Sequence, residues 1–354
     1  MKALLVAAVV LGLAAVGPVP AQADPLGTIE GTVANGTEGG GSVADLEVTL
    51  AAWQQGKAVG EPVTTRTNSM GAFGFDGVST SADYTYTVSV RYQGVDYSAD
   101  AIQVSAETSV ARLEIAVFEP TTSPEAIRVL LDHLAVKVDG EGGRLAVMNY
   151  LKIANTGDRT YVGDRTTDPN ASAPTLRLSL PREAASLELL QGLQPENLVM
   201  QDDTLAENRP VPPGEQDLAF TYELAYSSGS YIFQRALDYP TDKVTFLVPA
   251  EGVQIESEQL PTRQEAETAG GKYVVASGEG LSAGTPLEVV LTGLPQGGGG
   301  PLSLGNILRP AVVMLVVLAL TAAVAYPRFR RRPAAAPVEQ RDADEEARER
   351  RKAA

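Results

Sequence analysis

Apolar residues alternate with polar or small ones in short runs along most of the chain. Leu46/Val48/Leu50, Tyr84/Tyr86/Val88/Val90/Tyr92 and Leu113/Ile115/Val117 each place every second side chain on one apolar face. A period of two is the mark of a half-buried β-strand. Asn35-Gly36, Gly39 to Gly41 and Asp76-Gly77 fall between these runs, and no helical period competes over a useful length. Residues 27–118 therefore predict one small antiparallel β-sandwich. Farther along, Leu134/Val136/Val138, Leu176/Leu178/Leu180, Phe220/Tyr222/Leu224/Tyr226, Val244/Phe246/Val248 and Leu287/Val289/Leu291 alternate in the same way. They predict a second, larger sandwich over 125–294, with loops such as Val211-Pro212-Pro213-Gly214 between its strands. Residues 119–124, Glu-Pro-Thr-Thr-Ser-Pro, read as a stiff linker.

Two stretches break the alternation. Residues 1–23 begin Met-Lys, run apolar from Ala3 to Val16, pass through Gly17-Pro18-Val19-Pro20 and end Ala21-Gln22-Ala23 before Asp24. A charged start, an apolar run short for a bilayer and small residues at the end describe a secretory signal peptide, cut between Ala23 and Asp24. The second stretch, 307–327, holds the uncharged run Pro310 to Tyr326, long enough to cross a hydrocarbon layer of about 30 Å as a helix. Arg309 stands alone on one flank, whereas Arg328, Arg330, Arg331 and Arg332 crowd the other, which places the C-terminus in the cytoplasm. Residues 295–306, with four consecutive glycines, form a flexible stalk before the span, and 328–354 form a charged tail. The expected fold class is thus all-β: two tandem antiparallel β-sandwiches of Ig-like or transthyretin-like type, followed by one C-terminal transmembrane α-helix.

Composition narrows the chemistry. The 354-residue chain has no Cys and one His. That excludes disulfides, thiolate metal sites and cysteine nucleophiles, and leaves His133 as the one ring available to a catalytic triad. Residues 24–306 carry 17 basic against 38 acidic side chains, net −21, a surface unsuited to nucleic acid and suited to cations or basic partners.

Gly31-Thr32-Val33 followed by Asn35-Gly36-Thr37, the Val43 to Leu50 segment, Thr67 to Phe75 and the tyrosine-rich strand after it resemble the carboxypeptidase regulatory-like domain, a transthyretin-like or prealbumin-type β-sandwich. In that pattern Gly71 supplies a turn, and Phe73 and Phe75, two residues apart, point into one core. The resemblance covers about a quarter of the chain and implies an accessory module, not an activity. The family's metal ligands lie in a separate catalytic domain, and here His133 is followed by Leu134, Ala135 and Val136, without the Glu of a zinc-peptidase pair. The whole layout resembles single-span, membrane-anchored proteins of the bacterial envelope.

The candidate sites are few. Alternation puts His133 on the wetter face of its strand, as a surface histidine. Asp139 to Gly143 and Asn155-Thr156-Gly157-Asp158 gather oxygen atoms in turns where Ca²⁺ could bind, but neither has the spacing of a calcium loop, and no cofactor or metal is expected. Asn35-Gly36-Thr37 and Asn170-Ala171-Ser172 fit the glycosylation pattern by coincidence. Trp53 is the candidate for stacking on a sugar ring, whereas Tyr84, Tyr86 and Tyr92 share a phase with Val88 and Val90 and belong to the core. The expected function is that of a non-enzymatic extracytoplasmic scaffold that binds an envelope or membrane protein. The alternatives are a carbohydrate or cell-wall module using Trp53 and, more remotely, a hydrolase built on an acidic pair.

Overall fold

A computed structural model of the chain describes residues 26–140, 142–164, 173–268 and 271–295. The segment 1–23 with Ala23 and Asp24, residues 296–306 of the expected stalk, the 307–327 segment, Arg309, Arg328, Arg330, Arg331, Arg332 and the 328–354 tail lie outside the described residues. So do Glu141 and Asn170 to Ser172. Among the described residues no helix is long and apolar enough to cross a membrane. The fold is all-β with several sheets, and its chain divides into two compact units between Glu119 and Pro120.

The first unit is built from β1 (Leu26–Asn35), β2 (Glu47–Gln54), β3 (Lys57–Arg66), β4 (Ala72–Ser79), β5 (Tyr84–Tyr92), β6 (Val95–Ser98) and β7 (Val110–Val117). They form a three-stranded sheet in the order β4-β1-β7 and a four-stranded sheet in the order β3-β2-β5-β6. Alternation decides which side chains are hidden: Val48 and Leu50 on β2, Tyr86, Val88, Val90 and Tyr92 on β5, and Ile115 and Val117 on β7 are all buried. Phe73 and Phe75 are buried as well, their rings edge to face at 6.1 Å. Each such ring contributes about 1.5–3 kcal/mol by leaving water. Gly31 lies opposite Phe73 in the register, and a Cβ there would meet that ring at 2.3 Å, so the missing side chain makes room for the aromatic one. Gly71 turns the chain at φ 79°, where a Cβ would strike the Val33 carbonyl oxygen at 2.2 Å.

The second unit contains β8 (Pro120–Thr121), β9 (Ile127–Asp139), β10 (Arg144–Asn155), β11 (Thr160–Tyr161), β12 (Leu176–Ser179), β13 (Ala185–Gln191), β14 (Leu198–Gln201), β15 (Thr204–Glu207), β16 (Gly214–Ala225), β17 (Ser230–Ala236), β18 (Thr241–Pro249), β19 (Gln254–Glu256), β20 (Thr262–Thr268), β21 (Gly271–Leu281) and β22 (Pro286–Thr292). One 3₁₀ turn, Pro195–Asn197, precedes β14. A seven-stranded sheet runs β13-β16-β10-β9-β18-β21-β20, accompanied by two three-stranded sheets, β12-β15-β14 and β17-β22-β19, and the pair β11-β8. Side chains from the seven-stranded sheet and from both three-stranded sheets belong to one buried cluster, which includes Leu134, Phe220, Phe246, Leu178, Leu205, Phe233 and Val289. Phe233 of β17 and Phe246 of β18 meet edge to face at 5.2 Å.

The sheets are mixed, not purely antiparallel as expected. β1 and β7 pair in parallel, as do β9 and β18, and β8 and β11. A parallel pair needs a crossover longer than a hairpin turn, and the residues between β1 and β7, or between β9 and β18, supply it through intervening strands. Side-chain alternation is the same in both kinds of pair, so strand direction leaves no trace in the hydrophobic pattern.

Candidate functional site

The candidate residue for stacking, Trp53, sits on β2 opposite Thr85 of β5, on the face turned away from Val48 and Leu50. It is half-buried, and its indole Nε1 donates to Thr87 Oγ1 at 2.9 Å. With Gln55, Gly56, Thr85, Thr87 and Ala101 it lines a shallow depression of about 310 Å³. Tyr84 and Tyr86 stack on each other at 6.1 Å and pair in register with Gln54 and Ala52, on the opposite face. The shelf thus offers one aromatic ring with hydroxyl and amide groups around it, and the tyrosines pack where their phase puts them.

At the end of the first unit a single carboxylate gathers a loop. Glu119 Oε1 accepts from Tyr92 Oη at 2.6 Å, from the Gly41 N–H at 2.8 Å and from Asn35 Nδ2 at 3.3 Å, and Oε2 accepts from Gln93 Nε2. The Glu119 N–H donates to Thr37 Oγ1 at 2.9 Å. The Tyr92 hydroxyl and then the Gly41 amide hold the carboxyl down to about 2, and burial together with Glu119 pushes the Tyr92 phenol up. Asn35 is spent within this network.

The second unit hides its charges more deeply. Asp132 of β9 is 1% exposed, and its carboxylate pairs with the Arg235 guanidinium of β17 and accepts from Asn149 Nδ2 of β10 at 2.9 Å. Burial is the largest single influence on the Arg235 pKa and lowers it, but the charge of Asp132 and its hydrogen bond, with Tyr222 and Asp238, together outweigh it, and the net shift is upward. Burial pushes the Tyr222 phenol up; its hydroxyl and Arg235 Nε have no hydrogen-bond partner among the described residues. Asp132 faces the core because β9 carries a bulge: Leu131 pairs with Lys152 and Val129 with Ile153, so Leu130 is skipped. The apolar phase changes there from Ile127 and Val129 to Leu134 and Val136, and Asp132 falls in with the latter.

His133 corrects the surface reading. It does lie on the face opposite Leu134, but that face is also covered at the centre of a seven-stranded sheet. Its neighbours there are Tyr150, 6.2 Å away ring to ring, and Thr245, its register partner on β18. The histidine is 8% exposed, and burial lowers its pKa to about 4 against a smaller upward pull from Asp132. It is neutral at physiological pH, with Nε2 unpartnered among the described residues.

The acidic turns are occupied by local structure. Asp139 Oδ1 accepts from the Gly142 N–H at 3.1 Å, while the Asn155 amide donates to the Arg159 and Val211 carbonyls, both at 2.8 Å. No group of three or more His, Asp or Glu placed to hold a metal occurs among the described residues. Sequence reasoning missed the Asp132–Arg235 pair, although Phe233/Arg235/Leu237 continue one alternating face and put an arginine in phase with core residues.

No protein-family model matches the chain, and no curated protein matches it. A solved structure with a matching portion is Legionella pneumophila aminopeptidase A in complex with aspartic acid, at 13% identity and a TM-score of 0.28. The match covers 47% of this chain and only 21% of that one, and at this similarity it carries no inference about fold or activity.

Proposed function

We propose that the protein is a non-enzymatic scaffold of the cell envelope: two tandem β-sandwiches displayed outside the membrane on a Gly-rich stalk, held by one C-terminal span. The first sandwich is then an accessory module of the carboxypeptidase regulatory-like kind. One observation carries the reading. The groups best suited to chemistry are withdrawn from solvent, with His133 neutral and buried and Asp132 locked to Arg235, so the surface left over is suited to binding. Chemical cross-linking of the native protein in its membrane, followed by mass spectrometry, tests this. One dominant membrane or secreted partner joined to 125–294 is the expected result; turnover of a generic ester, glycoside or peptide by the purified protein at an enzymic rate would overturn it.

The Trp53 shelf favours a second reading, a carbohydrate or cell-wall module. A ring with hydroxyl and amide groups around it matches the apolar face and polar rim of a sugar. Retention of the protein on isolated cell-wall polymer, abolished by Trp53→Ala, is the result that reading requires.

A further inference from the structure

β14 ends its three-stranded sheet. Its partner β15 is fixed in phase from both sides: Leu180 N donates to Asp203 O at 2.8 Å toward β12, and Asn208 N donates to Asn197 O at 3.1 Å toward β14. In an antiparallel pair the bonded residues come every second position, so Asn197, Val199 and Gln201 bond inward to β15. The backbone groups of Leu198 and Met200 therefore point to the open side. The Leu198 N–H is taken by the Pro195 carbonyl of the 3₁₀ turn. Among the described residues the Leu198 carbonyl and both the N–H and carbonyl of Met200 are left to be paired.

Side chains leave this edge open too. Val199 is 51% exposed and Met200 48% exposed, and the strand holds no charge, proline or bulge. Three other edges are guarded by such devices. β3 carries Lys57, Glu61 and Pro62, β20 carries Arg263, Glu265 and Glu267, and β13 is broken by two register shifts. At the end of β14 a depression of about 430 Å³ is lined by Arg182, Asp202 and Asp203. Residues 177–209 hold six acidic side chains against three arginines. Of these, Arg209 is paired with buried Glu207, and Arg182 lies 4.0 Å from Asp203.

We propose that β14 is a strand-addition site, and that its occupant is an extended segment of a partner protein in which apolar residues alternate with Lys or Arg. Main-chain pairing to Leu198 and Met200 supplies the docking, Met200, on the same face as Leu198, receives the apolar side chains, and Asp202 and Asp203 receive a cation. A second copy of this chain fits poorly. Antiparallel pairing about Met200 would bring two sets of Glu196, Asp202 and Asp203 together in a protein whose 24–306 region already carries net −21. This inference rests on the binding role proposed above and names the chemistry of the partner.

The probe is a labelled decapeptide alternating Val and Lys, titrated into the full-length protein in detergent. Two controls accompany it: the same peptide with Glu for Lys, and one N-methylated at alternate residues. Saturable binding of the Lys peptide alone is expected. It should weaken at least tenfold in Met200→Pro and severalfold in Asp202→Asn/Asp203→Asn, which leaves the strand untouched, while Ile232→Lys on β17 changes nothing. Binding that is absent, or equal for the N-methylated peptide, or unmoved by Met200→Pro and by Asp202→Asn/Asp203→Asn, overturns the assignment. Concentration-dependent dimerisation lost in Met200→Pro overturns it in favour of a second copy. If the peptide fails while membrane cross-linking still yields a partner attached elsewhere, the scaffold role stands and the β14 assignment falls.

Discussion

Two carboxylates, one in each unit, gather several donors, and they do so under opposite conditions. Asp132 is sealed between strands of two sheets and pairs with a buried arginine; Glu119 is half-buried and holds a loop through a phenol, two side-chain amides and a backbone N–H, with no cation among the described residues. The buried pair owes its persistence to mutual dependence, because either charge alone in that place would face a large desolvation cost. The surface network divides its strength among neutral donors, and the loss of one leaves the others able to turn to water. The same chemistry is therefore fragile in one unit and forgiving in the other.

The largest effect is expected where a charge is stranded. Arg235→Met leaves Asp132 without its cation and should cost about 3–5 kcal/mol of stability, measured by urea unfolding of the full-length protein. Asp132→Leu combined with Arg235→Met should recover most of that loss, since the two apolar residues fill the place without a charge. A double variant no better than the single one would show that the pair is held by its geometry and not by mutual neutralisation.

The next effect follows from His133 and is read against pH. Its pKa is about 4 folded against an ordinary 6.5, so the unfolded chain binds the extra proton between those values. Stability from this group is complete above pH 6.5 and is lost as pH falls toward 4, by about 3 kcal/mol in all. His133→Leu should flatten the stability profile across that window. A profile of unchanged slope would mean that the ring is reached by water before the sheet opens.

Sequence alone carried the strands whose two faces differ: β12, β16 and β22 hide the residues that alternation marks, and β5 and β7 hide all of theirs but the half-buried Tyr84 and Leu113. It did not carry β10, in which Leu145, Val147, Met148, Asn149, Tyr150, Leu151 and Ile153 are all buried, because a strand covered on both faces has no alternation to display. His133 was misjudged for the same reason, as its face is wet only if nothing lies over it. Asp132 was hidden by the bulge at Leu130, which changes the phase of β9 in mid-run. The face on which Trp53 lies and the phase of the tyrosines were legible, since both depend only on local period.

Smaller effects belong to the first unit, where Trp53, the chain's one tryptophan, reports on its surroundings by fluorescence. Glu119→Gln keeps the shape and removes the charge, and should cost about 1 kcal/mol at neutral pH. With a folded pKa of about 2 against an ordinary 4.5, the Glu119 contribution is present above pH 4.5 and fades as pH falls toward 2, so variant and parent should converge there. The window lies mostly below that of His133, which lets the two contributions be separated in one titration. Divergence that persists at pH 2 would assign the loss to shape and not to charge.

The smallest effect is expected from Thr87→Val, which removes the acceptor of the Trp53 indole and little else, at about 0.5 kcal/mol. Its interest lies in the shelf. A ring held in place by that bond is pre-oriented for stacking, and releasing it should weaken retention on cell-wall polymer without abolishing it, in contrast to Trp53→Ala. Retention that tracks the indole in this graded way would favour the carbohydrate reading over the scaffold. Retention absent from the parent protein as well would leave the Trp53–Thr87 bond as an anchor that pins an aromatic ring flat against β5, a device that covers the outer face of the sheet.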